Sequence, residues 1–290
     1  VLLAVFSWVL LQPRPLTDPT LAAPHRSAQY ATQPWDLGSA EPQSLQGRVA
    51  IVVGGSSGIG KAVARGLLSR GCEVIITSRS LGRAKKAAAD ISTGAHGGDS
   101  SVARRIQARA LDLADLADVR RFARSFLDER GEVVRLNYLV LNAGMGALFS
   151  AGGLGWAGPW LSPQGYEQLY AANYLGHFQL LQLLLPALRA SEPARVTATS
   201  SILHWWHDAD AVRGAQTLFP RQQRRSAEGD GIGDRFRQYG NTKLAQILMC
   251  FEAQRRFQRS HGISFTPLAP GLIDTAIGNP NLQARDGSDG

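Results

Sequence analysis

A glycine-rich stretch between an apolar run and a helical pattern constrains this chain more than any other feature. The β-branched run Arg48 to Val53 predicts a buried strand, and Gly58 to Arg70 predicts a helix. Between them lies Gly54-Gly55-Ser56-Ser57-Gly58-Ile59-Gly60. In this context Gly54 permits a tight turn, Gly58 lets the backbone approach a pyrophosphate, and Gly60 allows the helix to pack closely on the strand. We expect a nucleotide phosphate at this loop, although such turns also occur without a ligand.

The rest of the chain alternates strands with helices. Further strands are predicted at Cys72 to Ser78, Ile106 to Leu111, Tyr138 to Leu141, Val196 to Thr199 and Ile263 to Leu268, and further helices at Leu81 to Ile91, Leu116 to Arg130, Gly165 to Ala190 and Tyr239 to Ser260. Parallel strands need helical crossovers, and strands buried on both faces are continuously apolar. The order therefore predicts an α/β fold, a doubly wound parallel sheet of Rossmann type. Two predicted loops, Gly144 to Pro159 and His207 to Arg237, interrupt the pattern.

Composition favours one folded domain, which we place at residues 47–277, with a polar tail at 278–290. A chain of 290 residues with 44% hydrophobic content can bury one large core. Its net charge of +8 comes mostly from arginines spread along the whole length, which argues against a nucleic-acid partner. Cys72 and Cys250 lie in apolar patterns without metal-ligand spacing, so we expect buried thiols and no metal site.

The N-terminal region differs from the predicted domain. Val1 to Leu11 is apolar and uncharged, and residues 12–46 read as a linker rich in Pro, Ser and Ala. The apolar run is too short to cross a bilayer, which takes about 20 residues. Because the chain begins with Val, we favour a truncated signal anchor or signal peptide, with a buried packing segment as the alternative. The anchor predicts membrane association through the N-terminus, at the endoplasmic reticulum or another organelle, and the alternative predicts a cytoplasmic protein.

The residue after the second strand predicts which dinucleotide the loop accepts. An acidic residue at this position accepts hydrogen bonds from the two ribose hydroxyls of NAD. Arg79 instead suits a 2′-phosphate, because a guanidinium binds phosphate oxygens in pairs. A solvated arginine is the alternative interpretation. We expect NADP(H) as the cofactor.

Tyr239 and Lys243 form a candidate acid/base pair. They lie four residues apart in a predicted helix, so their side chains share one face. A tyrosine with an ordinary pKa of about 10 is a poor base at neutral pH, and a nearby ammonium favours its phenolate. Only four lysines occur in the chain, which makes this spacing rare by chance.

The order of these motifs resembles the short-chain dehydrogenase/reductase family, over about Arg48 to Ile277. The matching segments are the glycine loop, Leu111 to Leu113 (LDL), Asn142 to Gly144 (NAG) and the tyrosine–lysine pair. The string NYLGHF, which begins at Asn173, is similar to the retinol-dehydrogenase-like branch. The resemblance implies an NADP(H)-dependent oxidoreductase that moves a hydride between nicotinamide and an alcohol or carbonyl group. It also implies a lipophilic substrate of retinoid, steroid or aldehyde type.

The resemblance assigns catalytic roles to four residues. Tyr239 acts as the acid/base, and Lys243 lowers its pKa and holds the cofactor ribose. Ser201 holds the substrate oxygen, and Asn173 holds a water in a proton relay. Ser200 is the alternative to Ser201, and a helix kink bridged by the asparagine side chain is the alternative role of Asn173.

The resemblance also defines a binding set. The predicted cofactor residues are Gly54, Ser56, Ser57, Gly58, Ile59, Gly60, Arg79, Asp112, Leu113, Asn142, Ala143, Gly144, Tyr239, Lys243, Pro270, Gly271 and Thr275. Without the family, Asp112 is a polar residue after a strand and Pro270-Gly271 a turn. His204, Trp205 and Trp206 follow the serine and are predicted to contact a bulky apolar substrate. Core packing or a membrane-facing loop is the alternative for the tryptophans.

The chain departs from the family near its end. Family members continue beyond the position of Thr275 with a substrate-covering helical segment and a seventh strand, and here a short polar tail follows. We therefore expect a C-terminally short fold with an open substrate pocket. The missing segment leaves a non-catalytic nucleotide-binding or regulatory module as an alternative function. A protochlorophyllide-reductase-like enzyme, which shares the YxxxK and LGHF-type motifs, is a second alternative, and the short C-terminus argues against it. The resemblance further implies a homo-oligomer formed through the two long helices.

Overall fold

The computed structural model describes residues 44–96, 100–131, 133–146, 161–207 and 232–271. The N-terminal apolar run, the linker up to residue 43, most of both predicted loops, Thr275 and the tail lie outside these ranges, so the predictions made for them stay predictions. None of the helices within the described ranges is both long and apolar enough to cross a membrane.

One parallel sheet forms the centre of the fold. Its strands are β1 (Val49–Val53), β2 (Glu73–Ser78), β3 (Ile106–Ala110), β4 (Tyr138–Leu141), β5 (Ala194–Thr199) and β6 (Ile263–Leu268). The spatial order is β3-β2-β1-β4-β5-β6, and each neighbouring pair is parallel. The prediction of a doubly wound α/β fold is confirmed. The strand order reverses direction between β1 and β4, where the carboxyl ends of the strands leave a crevice.

Helices connect the strands. They are α1 (Gly58–Ser69), α2 (Leu81–His96), α3 (Ser100–Ala103), α4 (Leu116–Asp128), α5 (Gln168–Tyr170), α6 (Gly176–Arg189) and α7 (Ile232–His261). A π-helical segment, Ala171–Leu175, joins α5 to α6, and a 3₁₀ helix, Ile202–Trp205, follows β5.

Three predicted boundaries were wrong. The helix predicted to end at Ile91 continues to His96. The helix predicted from Gly165 begins at Gln168, because the carboxylate of Glu167 accepts hydrogen bonds from the first backbone N–H groups of α5 and caps it. The loop predicted to end at Arg237 instead overlaps α7. Phe236 stacks on Trp206 with ring centroids 5.6 Å apart, so the packed face of this helix starts before Tyr239.

The core lies on both faces of the sheet, and β1 contributes to each. Val49, Ile51 and Val53 belong to the apolar cluster that contains side chains of α4, α6 and α7. Ala50 and Val52 belong to the cluster formed with α1 and α2. Side chains of a strand alternate between faces, so a strand covered on both sides is apolar throughout.

Both cysteines are free thiols buried in this core, as predicted. Cys72 precedes β2 and Cys250 lies in α7, and both are fully buried. Burial raises the pKa of each thiol to about 12, because the thiolate would lose its hydration. Neither thiol is therefore reactive at neutral pH.

Gly60 and Gly66 lie in the same helix, α1, and have opposite surroundings. A Cβ on Gly60 would lie 2.2 Å from the carbonyl oxygen of Gly54, whereas a Cβ on Gly66 would meet nothing within 4 Å. We expect Gly60→Ala to lower the free energy of unfolding by about 1–3 kcal/mol through overpacking. Gly66→Ala should raise it by about 0.5–1 kcal/mol, because alanine favours a helix. Urea unfolding measures both, and equal effects would contradict this packing.

Candidate active site

The glycine-rich loop turns the chain from β1 into α1 at the carboxyl edge of the sheet. Gly54 and Gly58 have φ angles of 77° and 51°, a region that strains other residues. The backbone N–H of Gly55 donates to the carbonyl of Thr77 at 3.1 Å, which ties the loop to β2. Ser57 is the N-cap of α1, and its side chain makes no capping hydrogen bond. The first N–H groups of α1 are thus in a position suited to an anion.

A cavity of about 360 Å³ opens at this loop and contains most of the predicted site. Of the predicted residues, the cavity is lined by Gly54, Ser56, Ser57, Gly58, Ile59, Arg79, Asp112, Leu113, Asn142, Ala143, Gly144, Ser201, Tyr239, Lys243, Pro270 and Gly271. Gly60 lies outside the lining, packed against the carbonyl of Gly54. Residues far apart in the chain therefore share one cavity, because the parallel strands end at the same edge.

Sequence reasoning missed several lining residues. They are Val53, Thr77, Ser78, Arg83, Leu111, Met145, Ala172 and Thr199, and Ser200, the predicted alternative to Ser201, lines the cavity as well. Arg83 is the most informative, since it lies in the first turn of α2, four residues after Arg79. The i, i+4 spacing of two arginines at the start of a helix was a signal that could have found it. Both side chains are exposed, and no carboxylate within the described ranges pairs with either.

Asn142 joins the carboxyl ends of three strands. It follows β4, and its Nδ2 donates to the carbonyl of Gly54, after β1, at 3.3 Å. Its Oδ1 accepts from the hydroxyl of Thr199, at the end of β5, at 3.2 Å. The asparagine of the predicted Asn-Ala-Gly turn therefore fixes the edge of the sheet on which the cavity lies.

His177 supports the same turn from α6. Its Nε2 lies 2.8 Å from the carbonyl oxygen of Ala143, and the residue is fully buried. Burial lowers the pKa of His177 to about 4, so the ring is neutral at pH 7 and Nε2 donates to the carbonyl. The string NYLGHF contains this histidine, but sequence reasoning gave it no role.

Tyr239 and Lys243 come together on α7, as the four-residue spacing predicted. The Nζ of Lys243 lies 5.5 Å from the centroid of the Tyr239 ring. The same Nζ donates to the carbonyl of Thr199 at 2.8 Å and to the Oε1 of Gln246 at 3.1 Å. Lys243 is 3% exposed, so its ammonium depends on these two acceptors rather than on water.

Burial shifts the pKa of both members of the pair. The pKa of Tyr239 is raised because the phenolate would be desolvated, and a hydrogen bond with the Ser201 side chain acts in the opposite direction. Burial lowers the pKa of Lys243 to about 7. With a pKa of about 7, Lys243 is only partly protonated at neutral pH, and its charge can assist Tyr239 only in the protonated form.

The two serines after β5 have different partners. Ser200 is buried, and its Oγ donates to the backbone carbonyl of Lys243 at 2.9 Å. Ser201 lies beside Tyr239, and its Oγ also accepts from the backbone N–H of Leu203 at 3.2 Å. This geometry favours Ser201 for a contact with substrate and gives Ser200 a structural hydrogen bond.

Asn173 lies in the π-helical segment, fully buried beside the cavity. Its Oδ1 accepts from the backbone N–H of Met145 at 2.7 Å, and its Nδ2 donates to the Met145 carbonyl at 3.0 Å. The Nδ2 is also 3.3 Å from the Thr242 hydroxyl, which donates to the Tyr239 carbonyl. The side chain thus ties the π-helical segment to the backbone of Met145, which lies outside the helix, and both the relay role and the alternative role at a helix kink stay predictions.

Of the residues predicted to contact substrate, Ser201 lines the cavity, whereas His204, Trp205 and Trp206 are not among the described residues that line it. Trp206 stacks on Phe236 and packs against α7 at Gly240, where a Cβ would lie 2.2 Å from the Trp206 carbonyl. Trp205 is 57% exposed, and the Nδ1 of His204 lies 2.6 Å from the Ser201 carbonyl. Trp206 therefore packs against α7, and a substrate contact by any of the three residues stays a prediction.

The lowered pKa of Lys243 predicts a pH-dependent stability. Its pKa is about 7 in the folded chain, against 10.5 for an ordinary lysine. Between these values only the unfolded chain is protonated, so the free energy of unfolding rises with pH, by up to about 1.4 kcal/mol per pH unit. Urea unfolding of wild type and Lys243→Met should therefore show a difference that grows in favour of the wild type from about pH 7 to pH 9. A difference independent of pH would contradict the burial of the ammonium.

Known proteins resemble this chain in sequence and in fold. A family model described as short chain dehydrogenase matches residues 48–205. Retinol dehydrogenase 13 of Mus musculus is 32% identical over 235 residues, which are 81% of this chain and 61% of the mouse protein. A probable oxidoreductase of Streptomyces lividans is 35% identical over 233 residues, which are 80% of this chain and 67% of that protein.

Solved structures share the fold. The Pseudomonas aeruginosa RhlG/NADP active-site complex is 28% identical, with a TM-score of 0.55 over 84% of this chain and 81% of that chain. The chain spans about three fifths of the mouse retinol dehydrogenase, since 61% of that protein is matched. The family model, the sequence relatives and the strand order agree, and the chain belongs to the short-chain dehydrogenase/reductase family, in its retinol-dehydrogenase-like branch.

Proposed function

We propose that this chain is an NADP(H)-dependent oxidoreductase that moves a hydride between nicotinamide C4 and the carbon of an alcohol or carbonyl group. One observation carries the proposal. A single cavity contains the glycine loop, two arginines and the cluster of Ser201, Tyr239 and Lys243. A site for a dinucleotide and a site for proton transfer to oxygen are thus contiguous.

The cavity fits a phosphorylated dinucleotide. The N-terminus of α1 and the glycine loop suit a pyrophosphate, since both present backbone N–H groups and close backbone approach. Arg79 and Arg83 add two exposed guanidinium groups at the carboxyl end of β2, where a 2′-phosphate would be bound. The RhlG complex and a metagenomic short-chain oxidoreductase, 26% identical with a TM-score of 0.55, were both solved with NADP, which supports NADP over NAD.

Proton transfer is the task of the chain's own side chains. When bound, the nicotinamide supplies or accepts the hydride. In reduction the Tyr239 hydroxyl gives its proton to the carbonyl oxygen, and in oxidation the Tyr239 phenolate takes the proton of the alcohol. Ser201 donates a hydrogen bond to the same substrate oxygen, and Lys243 stabilises the phenolate by its charge. The side chain of Asn173 forms hydrogen bonds with Met145 and Thr242 beside this centre, a position consistent with the predicted proton relay.

A lipophilic substrate of retinoid, steroid or aldehyde type suits the rest of the cavity. The apolar side chains of Met145, Leu113 and Ala172 line this part of the cavity. Trp205, which comes shortly after Ser201 in the sequence, is exposed. Two of the relatives are named retinol dehydrogenases 13 and 12, at 32% and 31% identity, which supports this substrate class. Membrane association through the N-terminus and self-association stay predictions.

Cofactor preference is tested by the two arginines. We expect Arg79→Ala and Arg83→Ala each to weaken NADPH binding about tenfold or more, because each removes a charged hydrogen-bond donor from a phosphate. NADH binding should be unchanged. Arg124→Ala is the matched control, since Arg124 is exposed on α4 and does not line the cavity. Fluorescence titration of both nucleotides measures the effect, and equal weakening of NADH would rule out a 2′-phosphate contact.

Substitutions that remove the hydroxyl groups of the site test its role in turnover. Tyr239→Phe should reduce kcat for apolar aldehydes with NADPH about 10²–10⁴-fold, because the proton donor is lost. Ser201→Ala should also reduce kcat. Ser200→Ala should keep most of the activity and lose about 1 kcal/mol of unfolding free energy, since it removes a buried hydrogen bond.

The same assays separate the alternative functions. Nucleotide binding without turnover on any tested carbonyl would favour a non-catalytic nucleotide-binding module. A loss of activity in Ser200→Ala that exceeds the loss in Ser201→Ala would reverse the assignment of the serines. Binding of neither NADPH nor NADH would overturn the proposed function.

A further inference from the structure

Gln246 is a buried polar residue that none of the motifs includes. It lies on α7, three residues after Lys243, and is completely buried. Its Oε1 accepts a hydrogen bond from the Nζ of Lys243 at 3.1 Å. Its Nε2 has no hydrogen-bond partner among the described residues. A buried donor without a partner lowers stability, so the packing of the core alone does not explain a glutamine at this position.

The orientation of the amide follows from its neighbour. An ammonium is only a donor, so a glutamine nitrogen facing Nζ would place two donors together. The oxygen must therefore face Lys243, which leaves the nitrogen unpaired on the other side. The unpaired Nε2 is the consequence of presenting Oε1 to the lysine.

The surroundings of Nζ make this oxygen important. Lys243 has three N–H donors, and one is bound to the carbonyl of Thr199 at 2.8 Å. The second is bound to Gln246, which leaves the third for the cavity that Lys243 lines. Among the described residues, the titratable groups near Nζ are Tyr239 on α7 and His177 on α6, and neither carries a negative charge at neutral pH. Within the described ranges two neutral oxygens therefore stabilise the ammonium.

We propose that Gln246 is a positioning residue that holds the Lys243 ammonium in its charged form and directs its remaining N–H toward the cavity. The proposal rests on the proposed function, in which Lys243 assists Tyr239. The oxygen of Thr199 belongs to the backbone and is present with any side chain. Gln246 is thus the acceptor through which the sequence sets the charge state of this lysine.

The test is a titration of Lys243 in the protein without cofactor. Only Lys61, Lys85, Lys86 and Lys243 occur in the chain, so selective ¹³Cε labelling of lysine gives four signals, and the loss of one in Lys243→Arg assigns it. We expect Gln246→Leu to lower the pKa of Lys243 by about one unit, the effect of losing one hydrogen bond to a charged group. Gln246→Glu should raise it by about one to three units.

Gln254 supplies the matched control. It lies on the same helix, and its Oε1 accepts from the backbone N–H of Phe265 at 2.7 Å. Gln254→Leu should lower the thermal midpoint and leave the pKa of Lys243 at the wild-type value. If Gln246→Leu does not fold, the Gln246→Glu variant decides the question. A pKa of Lys243 that is the same in the wild type and in the folded Gln246 variants overturns the proposal.

A second measurement connects the residue to turnover. In Gln246→Leu the loss of kcat at high pH should begin about one pH unit lower than in the wild type, because the lysine loses its proton earlier. The KM for the carbonyl substrate should stay unchanged. If the wild type shows no turnover, the proposed function fails, while the NMR titration still decides the role of Gln246.

Discussion

The hydrogen bonds that converge on Thr199 hold the site together. Its hydroxyl donates to Asn142, which also donates to the carbonyl of Gly54, and its carbonyl accepts from Lys243. One residue at the end of β5 thereby links the glycine loop, the Asn-Ala-Gly turn and the tyrosine–lysine helix. Thr199 and Lys243 are buried and Asn142 is partly buried, so a shift of any one element would leave several polar groups unpaired at once.

Burial determines the chemistry of this region more than any pairwise contact does. Desolvation raises the pKa of Tyr239 and lowers the pKa of Lys243 to about 7. Both shifts favour the uncharged side chains, so they work against a pair that needs a phenolate and an ammonium at neutral pH. Oxygen acceptors around Nζ offset the loss of water without placing a negative charge beside the phenol. Neutral acceptors leave the positive charge of Lys243 to act on the tyrosine, whereas the negative charge of a carboxylate would offset it.

The sequence predicted the fold because the fold depends on local patterns, and it predicted most of the cavity residues through the resemblance to a known family. Apolar runs of strand length alternate with helical patterns, and glycines with positive φ mark the loop after β1. Contacts between distant segments carried no such signal. The early start of α7 depends on Phe236 meeting Trp206, and the different roles of Ser200 and Ser201 depend on which hydroxyl faces the Lys243 carbonyl. Gln246 belongs to no sequence motif, because its proposed role depends on the burial of Lys243 in the folded chain.

The π-helical segment Ala171–Leu175 has a consequence for how homologous sequences can differ in length. A π-helical turn contains one residue more than an α-helical turn, so the helix before it and the helix after it are out of phase by about 100°. Asn173 faces Met145 because of this offset, while Leu180 and Leu184 on α6 face the core. Insertions and deletions are tolerated in surface loops, but the loss of a single residue here would rotate one side of the helix against the other. A deletion in this segment would therefore either take Asn173 away from Met145 or turn Leu180 and Leu184 out of the core.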